Sequence, residues 1–244
     1  MKCYCYETDS EFIFCVEDVE NMQLEDTIKH KAWEKIDDKF VMSYQQYAFS
    51  NRNEKELIKD NFTRLGQAMF ESSLVGFNWE EPLDLIAQKF AANGIEWYII
   101  GSVCDTIRGI NVKPSDIDIV VHTRDFHKAK DICYSSFADT IIAPFKDIQG
   151  MFALQPLRCF GRMFLDGALV EIAADENWNL ESRQPECEKS IWRDYGCKQP
   201  EYVQIVWRGY DLYVESLQHR HQIETSRNRA DRIKAINEYM NRTN

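Results

Sequence analysis

The most regular pattern of apolar and polar positions lies between residues 95 and 121. Residues 95–100 are rich in β-branched and aromatic side chains and end at a glycine, which is typical of a buried strand. A short helix over residues 106–108 can follow, because the next residue, Gly109, is a common helix terminator. The stretch 116–121 alternates carboxylate and apolar side chains and ends in two valines, which predicts a second strand.

Upstream of this stretch, the pattern predicts a hairpin and several helices. Residues 3–16 alternate around aromatic and apolar side chains with a polar break, as in a small hairpin. Residues 19–48 are charged with scattered aromatic side chains, and we expect one or two helices there. Residues 54–73 carry apolar side chains at helical spacing, and residues 80–92 form a further helix that Asn93 and Gly94 end.

Downstream, helix and strand signals alternate. Thr123 can cap a helix, the dipeptide Asp166-Gly167 can form a two-residue turn between apolar runs, and Ser216 can cap the final helix. Residues 174–200 have no regular period, so they form either a substrate-covering loop or a packed irregular segment. The predicted elements are a helix over 124–137, strands within 141–154, and hairpins over 158–173 and 202–214.

Asp116 and Asp118 are the candidate chemical groups of the central stretch. Residues two apart on a strand point to the same face, so both carboxylates project together. Like charges this close repel unless a cation lies between them, and Mg²⁺ suits them because it binds carboxylates together with substrate phosphates. An Asp-x-Asp pair alone is more often a solvated feature of an edge strand. The apolar strand ahead, the glycine turn and the apolar alternation favour a metal site here.

The dipeptide Gly101-Ser102 forms the predicted turn between the first strand and the short helix. The free N–H groups and the dipole at the start of a helix favour a phosphate, and glycine lets the backbone approach a ligand closely. A phosphate-binding turn followed by two carboxylates predicts a nucleoside-triphosphate site. The alternative is a Gly-Ser turn that binds no ligand.

These motifs resemble the signature of the DNA polymerase β-like nucleotidyltransferase superfamily. That signature is Gly followed by Gly or Ser, a spacer of about nine to thirteen residues, and a strand with Asp-apolar-Asp or Asp-apolar-Glu. Gly101, Ser102 and residues 116–119 match it here. The finer pattern is similar to the head domain of CCA-adding and poly(A) polymerases. Those enzymes usually have glycine and arginine where this chain has Ser102 and Cys104.

Glu171 lies between apolar residues on the second arm of a predicted hairpin. From its neighbours alone, such a carboxylate usually faces solvent. The resemblance implies a third carboxylate beside the Asp-x-Asp strand, and Glu171 fits this position; Asp166 is a second candidate that its turn explains better. The resemblance further implies that Asp116, Asp118 and Glu171 are catalytic and hold Mg²⁺ or Mn²⁺. The nucleotide-binding residues that it implies are Gly101, Ser102, Asp105 and Arg108.

A looser similarity extends into the C-terminal part of the chain. Residues 214–217 and 227–232 resemble the corresponding part of minimal antibiotic-modifying nucleotidyltransferases. The segment 219–232 is basic in an acidic chain, so it can contact a triphosphate or another acidic group. A solvated helix face with intrahelical ion pairs is the alternative. The resemblance as a whole covers roughly residues 95–240 and is specific over 99–121.

The net charge and the cysteines narrow the class of protein. A formal net charge of −11 argues against tight nonspecific binding to nucleic acid, which needs clustered lysine and arginine. An acidic cleft would suit a cationic acceptor such as an aminoglycoside, although acidity also serves solubility. The eight cysteines lack a zinc-type Cys-x-x-Cys spacing, so buried reduced thiols are expected, with a metal at Cys3, Cys5 and Cys15 as the alternative. No apolar run reaches membrane-spanning length and no signal-peptide core follows Met1, so we expect a cytoplasmic protein.

The sequence thus predicts an α/β (α+β) fold with a nucleotidyltransferase-type mixed sheet flanked by helices. We expect an accessory region over residues 1–75 and a nucleotidyltransferase-like domain with a C-terminal helix over residues 76–244. The resemblance implies Mg²⁺-dependent transfer of a nucleoside monophosphate from a triphosphate, with ATP as first choice, to a hydroxyl of a small molecule such as an antibiotic. The alternatives are transfer to tRNA or to a partner protein, as in antitoxin-like enzymes, and a nucleotide-binding module without turnover.

Overall fold

The computed structural model describes residues 1–30, 33–147, 159–175 and 202–243. Two β-sheets organise these residues, one of four strands and one of seven. Predicted features at residues 148–154, at Arg158 and over 176–200 lie outside the described residues.

The first sheet is antiparallel, with strand order β1-β2-β4-β3. Its strands are β1 (Lys2–Glu7), β2 (Glu11–Glu17), β3 (Glu34–Ile36) and β4 (Lys39–Gln45), and helix α1 (Met22–His30) separates β2 from β3 in the chain. The hairpin predicted over 3–16 is confirmed. Of the one or two helices predicted within 19–48, α1 is present, whereas the prediction of a second helix over the residues of β3 and β4 is wrong. Phe40 and Tyr44 suit either a helix or a strand by their spacing, and pairing with β2 decides between them.

The second sheet is mixed, with strand order β10-β11-β5-β6-β9-β8-β7. The pairs β11–β5 and β6–β9 are parallel and the other neighbours are antiparallel, which confirms the predicted mixed sheet. Its strands are β5 (Trp97–Ile100), β6 (Ile117–His122), β7 (Ile141–Asp147), β8 (Cys159–Leu165), β9 (Ala168–Asp175), β10 (Tyr202–Trp207) and β11 (Tyr210–Glu215).

Helices flank this sheet, as predicted. They are α2 (Arg52–Val75), α3 (Glu80–Ala92), α4 (Ser102–Ile107), α5 (Phe126–Ser136), α6 (Leu217–Ser226) and α7 (Ala230–Thr243), with 3₁₀ turns at Gln46–Ala48, Thr123–Asp125 and Ala138–Thr140. The Ser216 side chain accepts from the His219 N–H at 3.1 Å, which confirms the predicted cap. Thr123 instead begins a 3₁₀ turn, and the final helix is two helices because Asn228 adopts a left-handed conformation between them.

The long helix α2 packs against both sheets. It contacts β1 of the first sheet and β7 of the second. The buried Asn61 amide donates to Ala138 O at 2.9 Å and to Ile141 O at 2.8 Å, which fixes the helix against the second sheet. Buried residues of both sheets form one continuous apolar cluster. The boundary after residue 75 therefore stays a prediction.

The described helices and cysteines have two further properties. Within the described ranges, every helix is too short or too polar to span a bilayer. The six cysteines in these ranges are buried, and five of them are free thiols: Cys3, Cys5, Cys15, Cys104 and Cys133. Cys104, which follows the Gly-Ser turn, donates its S–H to Ile99 O at 3.0 Å, and burial raises the pKa of its thiol. The five free thiols thus have the buried, reduced state that the sequence predicts for its cysteines.

Candidate metal and nucleotide site

One cross-strand row of residues carries the site. Ile100 of β5 lies opposite Asp118 of β6, Asp118 lies opposite Glu171 of β9, and Glu171 lies opposite Arg162 of β8. Residues directly opposite one another on paired strands lie on the same face of the sheet. The row therefore places an acid pair and an arginine side by side in the middle of the seven-stranded sheet.

Asp116 completes a cluster of three carboxylates with Asp118 and Glu171. It directly precedes the first residue of β6, and one carboxylate oxygen from each of the three residues lies within 4.8 Å of the other two. All three side chains are half-buried, and Ser115 donates its hydroxyl to Asp116 Oδ1 at 2.8 Å. The structure thus brings together the three residues that the resemblance assigned to a metal.

The donor chemistry of this cluster fits a divalent cation. Three carboxylates supply hard oxygen ligands, which Mg²⁺ and Mn²⁺ prefer. Without a cation, three negative charges at this spacing repel one another in a half-buried site. Asp116, Asp118 and Glu171 would hold the ion, leaving its remaining positions for water or substrate phosphates.

Arg162 is a charged member of the site that the sequence analysis missed. Its Nε donates to Glu171 Oε1 at 2.7 Å, and its Nη1 lies 3.3 Å from Met42 Sδ of β4. Burial alone would lower the pKa of the Arg162 guanidinium, but Glu171, Tyr44 and Asp116 together raise it above its usual value. The first sheet therefore contacts the same arginine that pairs with the third carboxylate.

The predicted two-residue turn determines which residues of the hairpin lie opposite each other, and it pairs Arg162 with Glu171. Leu165 and Ala168 flank the turn and pair with each other, so counting outward in register pairs residue 162 with Glu171. Opposite charges directly across a hairpin favour each other. The Arg162–Glu171 contact was therefore readable from the sequence once the turn was accepted.

Gly101 lies directly against Asp118. Its φ is +75°, and a Cβ at this position would lie 2.6 Å from Asp118 Oδ2. Residues other than glycine disfavour this conformation, and a Cβ here would force the Asp118 carboxylate to move. The glycine thus lets the turn lie against Asp118, and its predicted close approach to a ligand stays a prediction.

The Gly101 N–H does not face an open phosphate site. It donates to Glu215 Oε2 at 2.9 Å, and the helix that follows, α4, has only six residues. Ser102 is buried. The expectation that this turn offers the Gly101 N–H to a phosphate therefore needs correction, because a carboxylate of the chain already accepts that hydrogen bond.

Asp105 and Arg108, which the resemblance assigned to the nucleotide, belong to a buried polar network. Arg220 binds Asp105 with two hydrogen bonds of 2.9 and 3.2 Å, and it also contacts Glu215 at 3.4 Å and Glu224 at 2.5 Å. Asp105 is fully buried and Arg220 is 1% exposed. Arg108 donates to Cys104 O at 2.6 Å and to Glu215 O. The basic C-terminal segment thus turns one arginine inward, toward acidic residues of the same chain.

Burial shifts the pKa values of two further members of this network. Burial raises the pKa of Glu215 to about 7, although Arg220 and the Gly101 N–H oppose the shift. Burial, with Arg220, lowers the pKa of His219 to about 4. His219 Nδ1 lies 3.5 Å from Glu215 Oε1, and this contact joins a neutral imidazole to a carboxyl group at neutral pH.

Comparison with known proteins adds two distant similarities. No family model and no curated protein matches the chain. A proposed nucleotidyltransferase from Thermotoga maritima is 19% identical at a TM-score of 0.42, and the match covers 67% of this chain and 93% of that chain. An antigenic nucleotidyltransferase-like protein from Paracoccidioides brasiliensis is 15% identical at a TM-score of 0.35, with coverages of 62% and 72%.

At these TM-scores, neither similarity bears on substrate or activity. Of the residues that the nucleotidyltransferase resemblance implies, the structure gathers Asp116, Asp118 and Glu171 in one cluster, with Gly101 against it. Asp105 instead lies in the buried network around Arg220.

Proposed function

We propose that this chain is a metal-dependent nucleotidyltransferase. It would transfer a nucleoside monophosphate, with ATP as the first choice of donor, to a hydroxyl group of a small molecule such as an antibiotic. The observation that carries the proposal is the convergence of Asp116, Asp118 and Glu171 within 4.8 Å, beside a glycine turn. A solvated pair of aspartates on an edge strand would not explain this arrangement, because β6 is a central strand with a third carboxylate opposite.

Each carboxylate has a proposed role. Asp116 and Asp118 would hold Mg²⁺ or Mn²⁺ against the triphosphate, and Glu171 would either complete the metal site or accept the proton of the acceptor hydroxyl. A bound divalent cation would supply charge neutralisation at the phosphates. Ser102 is the turn residue that remains for a phosphate contact, because Glu215 accepts the Gly101 N–H.

The proposed reaction needs only the nucleoside triphosphate and the acceptor, and no atom is oxidised or reduced. The acceptor oxygen forms a bond to the α-phosphorus, the bond between the α-phosphorus and its bridging oxygen breaks, and pyrophosphate leaves with that electron pair. The hydroxyl proton passes to Glu171 or to water. Catalysis of this kind depends on positioning and charge stabilisation.

The small-molecule acceptor and the cytoplasmic location are parts of the same proposal. A net charge of −11 disfavours a long nucleic-acid acceptor and suits a cationic small molecule. The buried free thiols are typical of a reducing compartment.

Calorimetry with four nucleoside triphosphates, with and without Mg²⁺, tests the proposal. We expect one nucleotide to bind the native chain only when metal is present, and Asp116→Asn/Asp118→Asn to abolish this binding. The matched control is Asp131→Asn/Asp211→Asn, which removes two exposed aspartates elsewhere and should bind as the native chain does. Equal binding by the native chain and the site variant would refute the metal site.

A pyrophosphate-release assay with a panel of hydroxylated acceptors separates an enzyme from a binding module. Metal-dependent release with one acceptor supports the transferase. Nucleotide binding without release across small-molecule, tRNA and protein acceptors supports the module without turnover.

A further inference from the structure

Glu215 lies on the side of the glycine turn away from the metal carboxylates. Strand β11 runs parallel to β5, with Val214 opposite Ile99, so both strands end at the same edge of the sheet. There Glu215 Oε2 accepts the Gly101 N–H at 2.9 Å, while Asp118 abuts the Cα of the same glycine. One glycine is thus held between a buried carboxylate and a proposed metal ligand.

Arg220 fixes Glu215 in this position. Its guanidinium contacts Glu215 at 3.4 Å and also binds Asp105 of α4, the helix that follows the turn. The three residues are each at least 99% buried. One guanidinium on α6 therefore joins the end of β11 to the helix that begins at the turn.

A buried charge cluster of this kind has a high desolvation cost. Removing charges from water costs several kcal/mol per ion, and well-packed apolar residues often stabilise a fold as well or better. Three carboxylates, those of Asp105, Glu215 and Glu224, surround the single Arg220 guanidinium. Net stability is therefore a poor explanation of this cluster, whereas fixed geometry at the Gly101 turn is a direct consequence of it.

We infer that Glu215 is a positioning residue that holds the Gly101–Ser102 turn against Asp118. It contacts neither the proposed metal nor the nucleotide and acts through the Gly101 N–H. The consequence of this hydrogen bond is that the turn and the carboxylates of the proposed metal site keep one relative position. The importance of that position for metal binding rests on the proposed function. The hydrogen bond itself can be tested without any metal or nucleotide.

The chain allows a selective probe of this bond. Ile100-Gly101 is the only Ile-Gly pair in the sequence, so carbonyl-¹³C isoleucine with ¹⁵N-glycine labelling selects the Gly101 amide alone. Its hydrogen-exchange rate in the folded protein reports whether the N–H is held. The Kd of Mn²⁺ alone, measured on the same samples, reports the geometry of the carboxylates.

Three variants distinguish the role of Glu215 as a hydrogen-bond acceptor from the role of its negative charge. In Glu215→Gln, the side-chain carbonyl still accepts the N–H, so exchange and Mn²⁺ affinity should stay within about twofold of native. In Glu215→Ala, exchange of the Gly101 amide should accelerate by about tenfold or more, and Mn²⁺ binding should weaken by about three- to tenfold. Glu215→Asp keeps the charge but shortens the side chain by one methylene, which moves the oxygen away from the Gly101 N–H. It should change the exchange rate and the Mn²⁺ affinity in the same direction as Glu215→Ala, and it replaces that variant if the alanine variant does not fold.

Glu54→Ala is the matched control, because it removes a buried glutamate on α2, away from the turn. It should leave both readouts at their native values. Native-like exchange of Gly101 in Glu215→Ala or Glu215→Asp overturns the inference, as does equal acceleration in Glu215→Gln. Absence of Mn²⁺ binding by the native chain would refute the proposed metal site instead, and the exchange measurement would still decide on Glu215.

Discussion

The Arg162 guanidinium and the Glu171 carboxylate form an ion pair across two antiparallel strands, with Nε and Oε1 2.7 Å apart. Both side chains are partly shielded from water, with 11% of Arg162 and 18% of Glu171 exposed, so solvent screens their attraction only in part. Glu171 is also one of the three proposed metal ligands. The same carboxylate thus has a resident cation on one side and a proposed metal position on the other.

Arg162→Met should raise the affinity of the cluster for Mn²⁺ by about three- to tenfold, because it removes a positive charge beside a cation site. Titration calorimetry with Mn²⁺ in the absence of nucleotide measures this change. Arg124→Met, which removes an exposed arginine paired with Glu96, is the control and should leave the affinity unchanged. An unchanged or lower affinity in Arg162→Met would show that the arginine does not compete with the metal.

Gly101→Ala should disrupt the site far more than Gly109→Ala. Both glycines have positive φ, +75° and +84°, so alanine is strained at either position by about 1 kcal/mol. Only the Gly101 variant places a Cβ against Asp118, whereas the Gly109 Cβ meets nothing within 4 Å. We expect Mn²⁺ binding to weaken by about tenfold or more in Gly101→Ala alone. Equal effects in the two variants would trace the loss to backbone strain rather than to the contact with Asp118.

Glu215 and His219 should give opposite pH dependences of stability. The Glu215 pKa is raised to about 7, so its contribution is complete below the unfolded value and is lost as pH rises through 7. The His219 pKa is lowered to about 4, so the folded state loses stability as pH falls from 6.5 to 4. The two effects oppose each other over most of this range.

Glu215→Gln should therefore expose the His219 effect. The free energy of unfolding of this variant should rise between pH 4 and 6.5 more steeply than that of the native chain, by up to about 1.4 kcal/mol per pH unit. Urea unfolding at a series of pH values measures both slopes. Glu56→Gln, at an exposed position of α2, should keep the native profile. Parallel profiles for the Glu215 variant and the native chain would contradict the raised pKa of Glu215.

Asn61→Ala should destabilise the whole chain. It removes the amide donor to Ala138 O and Ile141 O, at a cost of about 1–3 kcal/mol. For a chain of this size, the melting temperature should fall by roughly 2–4 °C per kcal/mol. Scanning calorimetry should show one transition if α2 joins the two sheets into one unit, and Asn53→Ala, at an exposed position of α2, should melt as the native chain does. Two transitions, only one of them shifted, would support residues 1–75 as an independent unit.

Local patterns determine the part of the site that the sequence predicted. The two-residue period of a strand places Asp116 and Asp118 on one face, and the glycine before the short helix marks the turn. The third carboxylate, Glu171, came from the resemblance, and its partner Arg162 follows from the register of a two-residue turn. The aspartate pair, the turn and the Arg162–Glu171 register need no contact between distant parts of the chain, whereas the position of Glu171 beside Asp118 depends on the pairing of β6 with β9.

The remaining part of the site depends on such distant contacts. The spacing of Arg220 along α6 does not show that it lies inside the fold, since basic helical segments are usually solvated. The burial of Arg220 follows from the parallel pairing of β11 with β5, and no local sequence pattern predicts this pairing. The hairpin of β3 and β4 was mispredicted for the same reason, because pairing with β2 overrides the local spacing of its aromatic residues.

The position of β11 between β10 and β5 has a consequence for synthesis of the chain. A ribosome completes the three carboxylates well before it reaches Glu215 and Arg220. Until β11 emerges, β5 is an open sheet edge, and such edges recruit strands from other molecules. The nascent chain therefore carries all its proposed metal ligands during a period when the edge of β5 is exposed to aggregation, and docking of the hairpin of β10 and β11 ends that period.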